Sequence, residues 1–110
     1  MNNDRKYGLL NTDIERIISI FKSNSKINNV ILFGSRAIGN YRPGSDIDIA
    51  LKGNDINLND ILSINAELDE LSTPYKFDIV IYSRITENAL MDHIERVGIS
   101  LFERKKPGAR

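Results

Sequence analysis

Val30-Ile31-Leu32-Phe33-Gly34-Ser35, then ten residues, then Asp46-Ile47-Asp48-Ile49-Ala50-Leu51, is the stretch from which the fold can be read. Val30 to Phe33 is a short apolar run ended by glycine, the mark of a buried strand. Asp46 to Leu51 alternates, with Ile47 and Ile49 on one face and Asp46, Asp48 and Ala50 on the other, so it reads as a second strand whose carboxylates lie opposite its isoleucines. Gly39, Pro43 and Gly44 punctuate the loop between them. If Gly34-Ser35 at the end of one strand meets Asp46 at the start of the next, the two strands are antiparallel neighbours.

Working outward, Thr12 with Glu15 has the spacing of a capping box, and Ile14, Ile17, Ile18 and Phe21 follow at helical spacing, predicting a helix from about Asp13 to Ser23. Asn24 to Asn29 reads as polar linker. Asn59 is a plausible N-cap for a helix carrying Ile61, Leu62, Leu68 and Leu71 and ending before Pro74. Phe77 to Tyr82 reads as a third strand, with Asp78, Val80 and Tyr82 on one face. It follows a helical connection and is expected to run parallel to the second strand. Thr86 is a candidate cap for a last helix bearing Leu90, Ile94 and Val97, which Gly98 closes before a short edge strand at Ile99 to Phe102. The fold class is α/β (α+β), a small mixed sheet flanked by helices.

At 110 residues the chain is expected to form one domain, burying roughly 60 to 70% of the surface its unfolded form exposes. Lys plus Arg and Asp plus Glu are balanced at 15 each, so no global field marks a nucleic-acid or membrane binder. Cysteine is absent, which excludes disulfides and thiolate chemistry and fits a cytoplasmic location. No apolar run approaches membrane-spanning length.

The chemistry lies in Gly34-Ser35, the Asp46-Ile47-Asp48 pair and Asp78. Nine aspartates stand among the 110 residues, so a bare Asp-x-Asp is expected by chance about once per such chain. With Gly-Ser required at one fixed offset before it, the chance falls to the order of a few in a thousand. Spacing of i, i+2 on a strand aims both carboxylates to one side, where they repel unless a cation neutralises them. Hard oxygen ligands suit Mg²⁺ or Mn²⁺, and adding Asp78 gives enough carboxylates for two ions. Gly34-Ser35 can offer backbone N–H groups and a hydroxyl to phosphate oxygens, more so if Arg36-Ala37-Ile38 begins a helical turn. Arg36 and Arg42 are candidates to pair with a triphosphate.

Gly34-Ser35-Arg36-Ala37-Ile38-Gly39 followed by Arg42-Pro43-Gly44-Ser45-Asp46-Ile47-Asp48-Ile49-Ala50 resembles the signature of the DNA polymerase beta nucleotidyltransferase superfamily, and in particular its minimal nucleotidyltransferase (MNT) branch. The likeness continues through Phe77-Asp78-Ile79-Val80 to Gly98-Ile99-Ser100-Leu101-Phe102. It implies a nucleotidyltransferase domain, expected over residues 1–104; by its Lys, Arg, Pro and Gly content 105–110 reads as a flexible basic tail. It also implies an antitoxin, encoded beside a helical HEPN-domain toxin, that transfers AMP from ATP to a toxin tyrosine. Gly34 and Ser35 would then hold the triphosphate, Asp46 and Asp48 would bind the Mg²⁺ ions, two in number, and Asp78 would complete the triad. Size agrees, since nearly all the chain is used to build the sheet and its helices, and the acceptor would arrive on another protein.

Two other readings stay open on the sequence: a non-catalytic module that neutralises its partner by occlusion, and a small-molecule enzyme of the aminoglycoside-modifying kind. His93 lies between Asp92 and Glu95 in the last helix, and a lone histidine there reads as surface or packing.

Overall fold

A computed structural model describes residues 4–105. Of the expected basic tail, Lys105 alone falls among the described residues. The chain opens on a hairpin absent from the sequence reading, Arg5–Lys6 (β1) against Leu9–Leu10 (β2). Its two turn residues, Tyr7 and Gly8, have φ of 57° and 75°, as a two-residue type I′ turn requires. Tyrosine does not announce such a turn, and the strands are too short to show a pattern.

Helix α1 spans Asn11–Lys22. The Thr12–Glu15 capping box does not form: the chain enters directly from β2, Leu10 takes the N-cap position without a side-chain bond, and Thr12 lies inside the first turn. Strand β3 is Ile27–Phe33, three residues longer at its start than the apolar run. Asn29 is tolerated there because its Nδ2 donates to Ser100 Oγ at 2.8 Å and to the Phe102 carbonyl at 2.7 Å. A single helical turn, Ser35–Ile38 (α2), follows Gly34.

Strand β4 runs Ile47–Gly53, so Asp46 stands just ahead of it. Helix α3, Leu58–Asp69, starts from Asn57 rather than Asn59. Asn57 Oδ1 accepts the Asp60 N–H at 3.1 Å, and Asp60 Oδ2 accepts the Asn57 N–H at 2.9 Å, which satisfies two donors at once. Asp60 also accepts from Lys26 Nζ at 3.0 Å and Asn24 Nδ2 at 3.1 Å, anchoring the helix start to the approach to β3. Strand β5 is Phe77–Ile81; Tyr82–Arg84 is a 3₁₀ turn; α4 is Asn88–Val97, without a side-chain cap from Thr86; β6 is Ile99–Glu103.

The main sheet has the order β5-β4-β3-β6. As expected, β4 pairs antiparallel with β3 and parallel with β5, and the last strand is an edge strand; the structure sets it, β6, beside β3. On one face α1 and α3 bury Ile17, Phe21, Ile64 and Leu68 against Val30, Leu32, Ile47, Ile49 and Leu51. Leu62, expected inside, is 58% exposed, and Ile64 takes the inward place. On the other face α4 sets Ile94 over Ile31, Phe33 and Ala50. The face that carries the carboxylates therefore becomes a second apolar core one residue pair further along. Among the described residues no helix is long and apolar enough to cross a membrane.

The Asn57–Asp60 box is expected to stabilise the fold measurably: Asn57→Ala should cost about 1 kcal/mol, read as a lower urea midpoint at unchanged slope. An unchanged midpoint would show that α3 is held by packing alone.

Candidate active site

The site is assembled by register. In the parallel ladder Asp48 is the partner of Asp78, and in the antiparallel ladder it is the partner of Phe33, the residue before Gly34. Three consecutive strands thus bring Gly34, Asp48 and Asp78 to one end of the sheet. Gly34 has φ 75° and ψ −157°, a conformation essentially confined to glycine. A Cβ there would run into Asp48 Oδ2, so the carboxylate lies directly against the glycine backbone. Asp48 is half-buried, while Asp46 and Asp78 are exposed.

Burial, followed by the charges of Asp78 and then Asp46, raises the Asp48 carboxyl above its ordinary value; a protonated His93 ring, and the Arg36 charge, pull it the other way. This repulsion is the electrostatic sign that the three carboxylates share one locality. Among the described residues, no three acidic or histidine side chains close into a metal cage unaided. The donor set still fits Mg²⁺, which keeps near-octahedral geometry, dehydrates reluctantly and is commonly held by one or two carboxylates plus substrate phosphates. Asp46, Asp48 and Asp78 are the residues that would hold it.

The loop carrying Asp46 is shaped by a turn in which Ser45 N–H donates to the Arg42 carbonyl at 2.9 Å and Arg42 N–H to Ser45 Oγ at 2.9 Å. Pro43 and Gly44, the latter at φ 89°, supply the type II turn chemistry. Arg42 is exposed. Arg36 behaves differently from the expectation that it meets a triphosphate. It is 3% exposed, with Nε and Nη2 donating to the Ser45 carbonyl at 3.2 and 2.8 Å and Nη1 to the Tyr7 carbonyl at 2.9 Å. Tyr41 and Tyr75 rings flank its guanidinium at 5.4 and 5.5 Å. In this arrangement Arg36 clamps the β1–β2 hairpin to the residue that precedes Asp46.

His93, which reads from the sequence as surface or packing, reaches the site: its Nε2 accepts the Gly34 N–H at 3.2 Å. A signal was present, because Leu90, His93, Ile94 and Val97 follow the i, i+3, i+4, i+7 spacing of an inward face.

Carboxylates beside a glycine turn at one end of a mixed sheet suit metal-assisted phosphate chemistry. The family model of polymerase beta nucleotidyltransferases matches residues 15–107, and the chain belongs to that family. Among solved structures the fold is similar to a toxin–antitoxin crystallised with AMP-PNP, at TM-score 0.70 and 23% identity over 84% of this chain and 74% of that one. It is also similar to a complex of the tri-AMPylated Shewanella oneidensis HEPN toxin with its MNT antitoxin, at TM-score 0.65 and 20% identity over 84% and 71%. The toxin–antitoxin MntA–HepT aligns at 0.64 and 21% over 84% and 72%. No curated protein matches in sequence.

A carboxyl with a raised value binds its proton more tightly folded than unfolded. Ionised Asp48 therefore penalises the fold at pH above that value, and the penalty vanishes below the ordinary carboxylate value. Asp48→Asn is expected to melt higher than the parent chain at neutral pH, the gap closing as pH falls through the acidic carboxylate range. Melting curves from neutral to acid pH check this; a variant that melts lower at neutral pH would contradict it.

Proposed function

We propose that this protein is an MNT-type antitoxin that transfers AMP from ATP to a tyrosine hydroxyl of a HEPN-domain partner. The observation that carries the reading is the register pairing of Asp48 with Asp78 beside Gly34. Family membership supplies the reaction class, and structural likeness to toxin–antitoxin complexes supports the kind of partner.

In this reading Gly34 and Ser35 hold the triphosphate, with the Ser35 hydroxyl donating to a phosphate oxygen and the glycine allowing close approach. Asp46 and Asp48 would each hold Mg²⁺, and Asp78 would complete the donor set. Mg²⁺ bound there would neutralise phosphate charge and favour ionisation of the attacking hydroxyl. The tyrosine oxygen bonds to the α-phosphorus as the bond to the β-phosphate bridging oxygen breaks, and pyrophosphate leaves. Asp78, exposed at the start of an edge strand, stands where an incoming acceptor can reach it and takes the hydroxyl proton. An ATP-dependent reaction and a chain without cysteine fit action in the cytoplasm.

The test is intact mass spectrometry of the partner after incubation with ATP, Mg²⁺ and either the parent chain or a variant. The parent is expected to add adenylyl groups and Asp48→Asn to add none. Asp78→Asn should still bind ATP while losing about 10²-fold or more in turnover, as for a lost general base. Full labelling by Asp48→Asn would overturn the catalytic reading. A partner neutralised without any mass change would favour occlusion.

A further inference from the structure

His93 lies 59 positions from Gly34 in the chain, yet its Nε2 accepts the Gly34 N–H at 3.2 Å. Its ring also meets Phe33 edge-on, 6.0 Å between centroids and 80° between planes. A ring nitrogen that accepts a hydrogen bond carries no proton, so the neutral imidazole bears its proton on Nδ1. The contact is thus oriented twice, by packing on the last residue of β3 and by a bond to the first residue after it.

Gly34 needs such external support. Glycine reaches φ 75° at no steric cost, but it has more alternatives than any other residue, and its own backbone does not select this one. At its C-terminal side the carbonyl accepts the Ala37 and Ile38 N–H groups, both at 3.1 Å. On the N-terminal side the bond to His93 fixes the peptide that joins Phe33 to Gly34. Where a side chain would stand, the Asp48 carboxylate fills the space. With both peptides tied, the position of Ser35 is determined relative to Asp48.

We propose that His93 is a positioning residue for nucleotide binding: it holds the Gly34 peptide from α4 and so keeps Ser35 in place for the triphosphate. This rests on the ATP-dependent reading given above. It assigns a role to a side chain outside the Gly-Ser and Asp-x-Asp motifs, contributed by the helix that covers the second core.

Two substitutions separate the bond from the packing. His93→Phe keeps a ring against Phe33 and removes the acceptor; His93→Gln restores an acceptor oxygen on a side chain of similar reach. Calorimetric titration of the full chain with ATP and Mg²⁺ is expected to show binding about fivefold to tenfold weaker for His93→Phe, the loss of one ordinary hydrogen bond. His93→Gln should recover most of that affinity. Labelling of the partner at saturating ATP should stay near the parental rate in both, so the defect appears in KM rather than kcat. In the parent, the chain's one histidine should show the Nδ1–H tautomer and a nitrogen–nitrogen coupling across the bond to Gly34 by NMR. Absence of that coupling overturns the inference, as does equal ATP affinity in all three proteins, or equal loss in both variants. A parent chain that binds no ATP overturns the functional reading and this inference with it, whereas parental binding with an unchanged His93→Phe overturns the inference alone.

Discussion

Strand β4 is committed on both sides, and the site depends on that commitment. Its antiparallel ladder with β3 fixes Asp48 beside the strand end that becomes Gly34, and its parallel ladder with β5 fixes Asp48 beside Asp78. A slip of one residue in either ladder would turn Asp48 into the core beneath α1 and α3 and send an isoleucine outward. The buried Ile47, Ile49 and Leu51 on one side and Ala50 on the other make that slip costly. Apolar packing on both faces therefore holds together carboxylates that repel one another.

Around this centre the fold adds two braces from distant segments. Arg36 ties the N-terminal hairpin and the Ser45 carbonyl into one assembly, and its burial is acceptable because its bonds to the Tyr7 and Ser45 carbonyls and two tyrosine rings replace water. His93 reaches Gly34 from the opposite layer. One brace governs the approach to Asp46 and the other the turn before Ser35. A ligand spanning the aspartates and the Gly-Ser turn would thus meet a surface fixed from both faces of the sheet.

The strand-turn-strand core was legible because Val30 to Phe33 and Asp46 to Leu51 obey simple periodicity, and the sheet order followed from asking which ends must meet. Less legible were features decided by tertiary partners. Asn28 and Asn29 look like linker until Ser100 and the Phe102 carbonyl are seen to satisfy Asn29. Arg36 looks like a phosphate ligand because nothing local reveals that the Tyr7 and Ser45 carbonyls will claim it. Asn57 and Asn59 are equivalent caps by composition, and Asp60 decides between them through the reciprocal bond. His93 sat in an apolar stripe whose spacing was visible, but its flanking acids suggested a solvated face.

On the proposed function, the clustered carboxylates at Asp46, Asp48 and Asp78 accept a triphosphate only when cations offset their charge. Calorimetric titration of the parent chain with ATP, in Mg²⁺ and again in chelator, measures this directly. Saturable binding in Mg²⁺ that disappears in chelator is the predicted result; equal affinity under both conditions would contradict it.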